Sequence, residues 1–198
     1  MDFKTSETKL NLMRAFAGES QARNRYDFAA DIAKEQKQYV IEAVFKFTAG
    51  QEREHAKVFL NHLKDFDGQT IDFSAGYPVS TSNSVEELLL FAAHNEYAEY
   101  NDAYKSFAET AEKEGFAAPA ASFKMIAEIE REHGDRFSRL AELVSKNMLY
   151  VSDIKCSWMC LNCGHIFEGT NPPAVCPVCS HDRGYFIRLE LAPYTSAK

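Results

Sequence analysis

The sequence predicts a mainly α protein: a four-helix bundle with one long crossover, followed by a small C-terminal domain built on four cysteines. Three observations carry that expectation. Apolar residues recur at spacings of three and four through most of the chain before Lys146, the mark of amphipathic helices. One breaker-rich stretch of some eighteen residues, Asp67 to Ser84, interrupts them. All five cysteines lie between Cys156 and Cys179.

Size and charge bound the rest. A typical domain runs about 100 to 150 residues, so the 198 residues hold one substantial core and an appendage. The expected division is 1–149 and 150–198. A net charge of -7 with no run of like charge leaves no electrostatic footprint for nucleic acid or an anionic membrane surface. The opening Met1-Asp2-Phe3-Lys4-Thr5-Ser6 has no apolar signal segment, and no stretch approaches the roughly 18 consecutive apolar residues that span a bilayer. A soluble, cytoplasmic protein is expected, with neither nucleic acid nor membrane as a partner. Clustered cysteines in a reducing compartment argue for metal binding over disulfides.

Taken in order, Leu10, Met13, Ala17 and Phe28, then Val44, Phe47, Val58 and Leu63, mark two helices between Thr5 and Lys64. The polar patch Glu35-Gln36-Lys37-Gln38 turns them antiparallel. The stretch with Asp67-Gly68, Gly76, Pro78 and the Ser/Thr/Asn run 80–84 is too long for an ordinary connection inside a compact domain. Ser84 followed by Glu87 is a capping box opening a third helix, which Gly115 closes. Pro119 sits in the first turn of a fourth, running to about Lys146. Connections that are short, long and short suggest a ferritin-like bundle, whose crossover runs its length. Eighteen extended residues reach at most about 60 Å, which is ample. Beyond Tyr150 come short apolar runs, glycine, proline and cysteine, the second domain.

Glu52-Arg53-Glu54-His55 recurs verbatim as Glu130-Arg131-Glu132-His133, each copy in the second helix of a pair. Residues three apart lie about 60° apart around a helix, so within each copy Glu and His face one point while Glu54 and Glu132 project elsewhere. A Glu-x-x-His on each of two bundle helices, plus a glutamate from each of the others, is the di-iron or di-manganese carboxylate pattern. Glu19 supplies the first helix; Glu96 and Glu99 are available on the third. Antiparallel helices place residues level when they are equidistant from the turn. The midpoint of Glu19 and Glu52 falls between Glu35 and Gln36, and that of Glu99 and Glu130 between Glu114 and Gly115; both coincide with turn signals. A lone Glu-x-x-His commonly marks a solvated face, but two copies, three further glutamates and two matched turns argue against that here. Buried carboxylates without cations would be prohibitively costly. Oxygen-rich donors with one imidazole per metal suit iron or manganese better than copper, with zinc left open. Tyr26, seven residues after Glu19, shares the ligand face, and Tyr104, five after Glu99, lies near its edge. Either can hydrogen-bond a carboxylate or simply pack.

Cys160-Leu161-Asn162-Cys163 and Cys176-Pro177-Val178-Cys179 form two C-x-x-C knuckles. Four thiolates accept Zn(II), as a structural ribbon, or a single iron, as a one-electron carrier. The knuckles alone do not decide; a neighbouring two-metal redox site that must be re-reduced favours iron. Cys156 stands outside as a spare thiol, and four well-spaced cysteines leave no ligand role for His165 or His181.

The chain resembles the rubrerythrins over nearly its whole length, through Gly18-Glu19-Ser20-Gln21-Ala22, Glu52-Arg53-Glu54-His55-Ala56, Glu96 with Glu99-Tyr100, Glu130-Arg131-Glu132-His133 and Trp158-Met159-Cys160. The resemblance implies two iron ions in a carboxylate-bridged site at Glu19, Glu52, His55, Glu96, Glu99, Glu130 and His133. It implies one more iron at Cys160, Cys163, Cys176 and Cys179. Glu52 and Glu130 would bridge the metals, and Glu99 and His55 would exchange as ligands of one iron. The implied activity is a peroxidase that protects against oxidative stress, reducing hydrogen peroxide to water with electrons from a reductase or small redox protein. Cys156, and Lys105 where relatives often carry proline, depart from the pattern without disturbing the ligands. The fourth helix runs on so far past His133 that the cysteine domain begins roughly 20 Å from its own chain's metals. A head-to-tail homodimer, each tail serving the partner's bundle, is therefore expected. The rival readings are an iron-storage ferroxidase and a zinc-ribbon interaction module.

Overall fold

A computed structural model describes residues 1–193. The helical spacings become α1 (Glu7–Glu35), α2 (Tyr39–Asn61), α3 (Val85–Ala98), α4 (Tyr104–Glu114) and α5 (Ala117–Ser145). α3 and α4 form one rod of the bundle, joined by a π-helical turn over Glu99–Ala103. The third helix is thus not the uniform α-helix that the sequence predicts. One residue is inserted where the Tyr104 N–H reaches back five positions to the Glu99 carbonyl.

The helix ends follow local chemistry. Ser6 caps α1 by accepting from the Lys9 N–H at 3.1 Å. The Glu114 carboxylate, at the far end of α4, accepts from the backbone N–H groups of Glu7 and Thr8 at 3.0 and 2.8 Å. It thereby places a negative charge at the positive end of the α1 dipole. At the predicted turn Lys37 adopts a left-handed φ of 58°, and the Gln38 N–H closes on the Ala33 carbonyl at 2.9 Å. Ser84 caps α3 by accepting from the Glu87 N–H at 3.3 Å. The reciprocal half of the capping box is rerouted: the Glu87 carboxylate accepts from the Ser82 hydroxyl at 2.6 Å.

The buried seam of α1 is Leu12, Ala15, Glu19, Ala22, Tyr26, Ala29 and Ala33, in strict alternation of three and four. The period matches the sequence reading and the phase does not. Phe28, Phe47 and Val58, apolar by spacing, are 67, 52 and 37% exposed, while Leu63 is in the core. Two apolar layers fill the bundle. One contains Tyr26, Ile41, Phe45, Leu89 and Phe137; the other contains Leu12, Phe59, Tyr104, Phe123 and Ile126. The polar seam residues lie between them.

Residues 67–84 run as an extended strap along α1. Arg14 Nε donates to the Ser74 carbonyl at 2.9 Å, the Tyr77 hydroxyl to the Arg14 carbonyl at 2.8 Å, and Gln36 Nε2 to the Asn83 carbonyl at 2.7 Å. The small domain is an antiparallel sheet in the order β2-β1-β3, with β1 at Cys156–Cys160, β2 at Ile166–Gly169 and β3 at Phe186–Arg188. Trp158 is fully buried there against Cys160, Cys176 and Phe186, its indole N–H donating to the Gly169 carbonyl at 3.0 Å. The domain rests on the α1–α2 turn of its own chain, where Tyr185 stacks on Tyr39 with centroids 4.1 Å apart. Gly184 fits there because a Cβ would stand 2.0 Å from the Lys37 carbonyl oxygen. Among the described residues no helix is long and apolar enough to cross a membrane.

Candidate metal centres

Six of the seven predicted carboxylate and imidazole ligands come together between the apolar layers. Glu19 comes from α1, Glu52 and His55 from α2, Glu96 from α3, and Glu130 and His133 from α5, all buried. They resolve into two overlapping sets of donor atoms, each within 4.8 Å: Glu19, Glu52, His55 and Glu130, and Glu52, Glu96, Glu130 and His133. Glu52 and Glu130 belong to both. Glu130 turns Oε1 to His55 Nδ1 and Oε2 to His133 Nδ1, each at 2.9 Å. Glu52 turns Oε2 to His55 Nδ1 at 3.2 Å and Oε1 to His133 Nδ1 at 2.9 Å. Each shared carboxylate thus offers one oxygen to each set, the disposition of a bridge. Glu19 and Glu96 belong to one set apiece, approaching His55 Nδ1 at 3.7 Å and His133 Nδ1 at 3.9 Å.

Glu99 is in neither set. It sits at the start of the π turn and lines a cleft that opens to the flank of the bundle. Burial, then the charges of Glu19, Glu130 and Glu52, push its carboxyl well above the usual range.

Both tyrosines touch carboxylates. The Tyr26 hydroxyl donates to Glu96 Oε1 and the Tyr104 hydroxyl to Glu19 Oε1, each from one apolar layer. The π turn makes the second contact possible. Five α-helical steps from Glu99 would rotate Tyr104 by roughly 140°, and one inserted residue returns it to within about 40°. His133 is oriented by residues that the sequence reading passed over. Its Nε2 donates to Gln51 Oε1 at 3.1 Å, and Arg136 holds Gln51 Oε1 at 3.2 Å and Thr48 Oγ1 at 3.0 Å. The Glu-Arg-Glu-His repeat gives no hint of them, because the residue before the second copy is Ile129.

The electrostatics test whether cations fit. Burial disfavours charge on every group, yet hydrogen bonds to Glu130, Glu19 and Glu52 override it at His55, which is raised to about 12. Bonds to Glu130 and Glu52 raise His133 to about 9. Glu130 is likewise opposed by burial but held at about 2 by His133 and His55. Glu19 and Glu96 go the other way, pushed well up by burial and by neighbouring carboxylates. Glu19 Oε2, Glu52 Oε1, both oxygens of Glu130 and His133 Nδ1 are buried without a hydrogen bond of good geometry. Such orphaned acceptors, facing one another, are satisfied by cations. Two divalent ions balance the four clustered carboxylates with both imidazoles neutral.

The cysteine site is equally well formed. Cys160, Cys163, Cys176 and Cys179 converge, with Sγ pairs 160–179 and 163–176 each 3.7 Å apart. That is about the edge of a tetrahedron with metal–sulfur bonds near 2.3 Å. Each knuckle repeats one backbone design. Gly164 and Ser180 adopt φ of 76° and 61°, and their N–H groups return to the carbonyls of Cys160 and Cys176 at 2.8 and 2.9 Å. His181 Nδ1 lies 3.1 Å from the Cys179 carbonyl; neither it nor His165 joins the cluster. Cys156 stays outside as well.

Comparison with known proteins agrees. A family model described as Rubrerythrin matches residues 11–141, and one described as Rubrerythrin, rubredoxin-like domain matches residues 158–187. Rubrerythrin-1 of Clostridium acetobutylicum is 43% identical over 92% of this chain and 94% of its own. Rubrerythrin of Porphyromonas gingivalis is 42% identical over 92% and 90%. Among solved structures, fully reduced nigerythrin superposes with a TM-score of 0.62 at 24% identity, covering 94% of this chain and 91% of that one. Mycobacterium tuberculosis bacterioferritin, at 0.63 and 18% identity over 74% and 89%, shares the ferritin-like fold. With both of its metal clusters falling inside the matched segments, the chain belongs to the rubrerythrin family, as a di-iron protein with a rubredoxin-like single-iron domain.

Proposed function

We propose that the chain reduces hydrogen peroxide to water, taking electrons through its four-cysteine iron from a reductase or small redox protein. One observation carries this reading: a two-metal carboxylate site and a four-thiolate site share one chain. Iron held by Glu19, Glu52, His55, Glu96, Glu130 and His133 would supply the two electrons that peroxide reduction consumes, and iron held by Cys160, Cys163, Cys176 and Cys179 would return them singly.

The protein's part is proton supply, orientation and exclusion of water. Glu99 is in excess of the four carboxylates that two divalent ions neutralise, and burial pushes its carboxyl upward, the direction that favours its protonated form. We assign it the role of general acid as the O–O bond breaks. Tyr26 and Tyr104 fix Glu96 and Glu19, and Gln51 fixes His133. Glu99→Ala is expected to slow peroxide turnover about 100-fold, the size of a general-acid contribution; an unaffected rate would count against the assignment. Likeness to a bacterioferritin raises the alternative of iron storage. Reduced protein consuming stoichiometric peroxide without depositing mineral distinguishes the two.

A head-to-tail homodimer completes the proposal. The docking point at Tyr39 lies about 20 Å along α2 from Glu52, a long path for electrons within one chain. Phe28 and Phe47 leave apolar surface on α1 and α2 for a second copy. Mixed dimers of Cys163→Ser chains with Glu52→Ala chains should recover activity that neither homodimer has; no recovery would exclude transfer between chains. Reduced thiol clusters suit a cytoplasmic setting.

A further inference from the structure

A cleft of about 790 Å³ enters the bundle between α1, the π turn and the strap, and both Glu99 and Tyr104 line it. Of the clustered ligands in the described residues, His55 keeps the most exposed surface, 7%, away from this cleft. Glu19, Glu52, Glu130 and His133 have no exposed surface, and apolar layers pack on both sides. The roof of the cleft belongs to the strap. Tyr77 lies against Gly18, where a Cβ would meet its ring at 3.6 Å, and its hydroxyl donates to the Arg14 carbonyl. Arg14 in turn holds the Ser74 carbonyl, so the strap is tied to α1 on both sides of this turn. Tyr77 is 39% exposed and lines the cleft. Arg14 and Asp102, opposite in sign, stand on the wall with Glu99, so the passage carries no strong field of one sign and suits a neutral solute.

We propose that this cleft admits the oxidant to the metal pair, and that Tyr77 sets the largest hydroperoxide that enters. The substrate class rests on the peroxidase reading above. With iron bound, a hydroperoxide would take up two electrons from the reduced site and two protons; its O–O bond would break to give an alcohol and water, or two waters from hydrogen peroxide. Size selection therefore resides in the crossover and not in a ligand.

The test uses the full, iron-loaded chain. Oxidation of the reduced protein by hydrogen peroxide and by cumene hydroperoxide is followed by stopped flow, and iron(II) extraction by 2,2′-bipyridine is timed separately. Tyr77→Ala is expected to raise the ratio of the cumene to the hydrogen peroxide rate constant about tenfold and to speed extraction. Tyr77→Phe, which keeps the ring, should restore most of the discrimination. Ala98→Trp, filling the cleft from an exposed wall position, should slow both oxidations and the extraction. An unchanged ratio in Tyr77→Ala, or an Ala98→Trp protein as fast as the parent, overturns the proposal. If the parent consumes no hydroperoxide the peroxidase reading fails, and the bipyridine rates still decide whether the cleft is the route.

Discussion

Glu130 and Glu52 show how little of a metal site one helix can specify. Each is a carboxylate whose two oxygens serve different imidazoles, one on its own helix and one on the other, which requires two rods at the right depth. The repeated Glu-x-x-His made four of the ligands legible, since its spacing is an intrinsic property of a helix. Glu96 and Glu99 were not separable in that way. Counting from the turn levels Glu99 with Glu130 and, equally, Glu96 with His133, so depth does not separate the two; Glu96 joins the cluster and Glu99 lines the cleft beside it. Gln51 and Arg136 were invisible because their role depends on a contact between α2 and α5. The charge balance has a measurable consequence. Without metal, His55 and His133 act as the cations of the cluster, with values raised from 6.5 to about 12 and about 9. The stability they contribute is full below the unfolded value and is lost as pH rises through the folded ones. Metal-free protein should therefore lose thermal stability progressively above about pH 6.5, while the metal-loaded form does not. Calorimetry across this range checks it, and parallel profiles for the two forms would refute it.

At the scale of elements, the decisive feature is the π turn. Tyr26 follows Glu19 by seven residues and Tyr104 follows Glu96 by eight, so the two halves match only when one residue is discounted. If the turn makes the tyrosines equivalent, Tyr26→Phe and Tyr104→Phe should cost alike. Each would strand a buried carboxylate oxygen, for about 1–3 kcal/mol by denaturant titration of the metal-free protein. A large loss for Tyr26 with none for Tyr104 would show that the insertion does not act in this way. The helices themselves were readable from spacing, caps and breakers, whereas their rotation was not. Large apolar side chains drew the eye to Phe28 and Phe47, yet the seam runs through alanines, which let rods approach closely and leave room for Glu19 and Tyr26.

Across the whole molecule, the two thiol knuckles announced a separate domain, but nothing in the sequence showed where it would rest. The contact joins Tyr39 to Tyr185 and Lys37 to Gly184, residues related by no periodicity. Gly184→Ala should pry the small domain off the turn while leaving its four thiols in place. Faster hydrogen exchange at the α1–α2 turn with unchanged metal content is the expected signature; unchanged exchange would mean that the turn yields without separation. The placement of Trp158 has a practical corollary. As the sole tryptophan it confines the indole emission to the sheet beside the thiol cluster, whereas the far-ultraviolet dichroism arises almost wholly from the rods. A single melt followed by both signals would therefore resolve which half of the molecule gives way first, with no label attached.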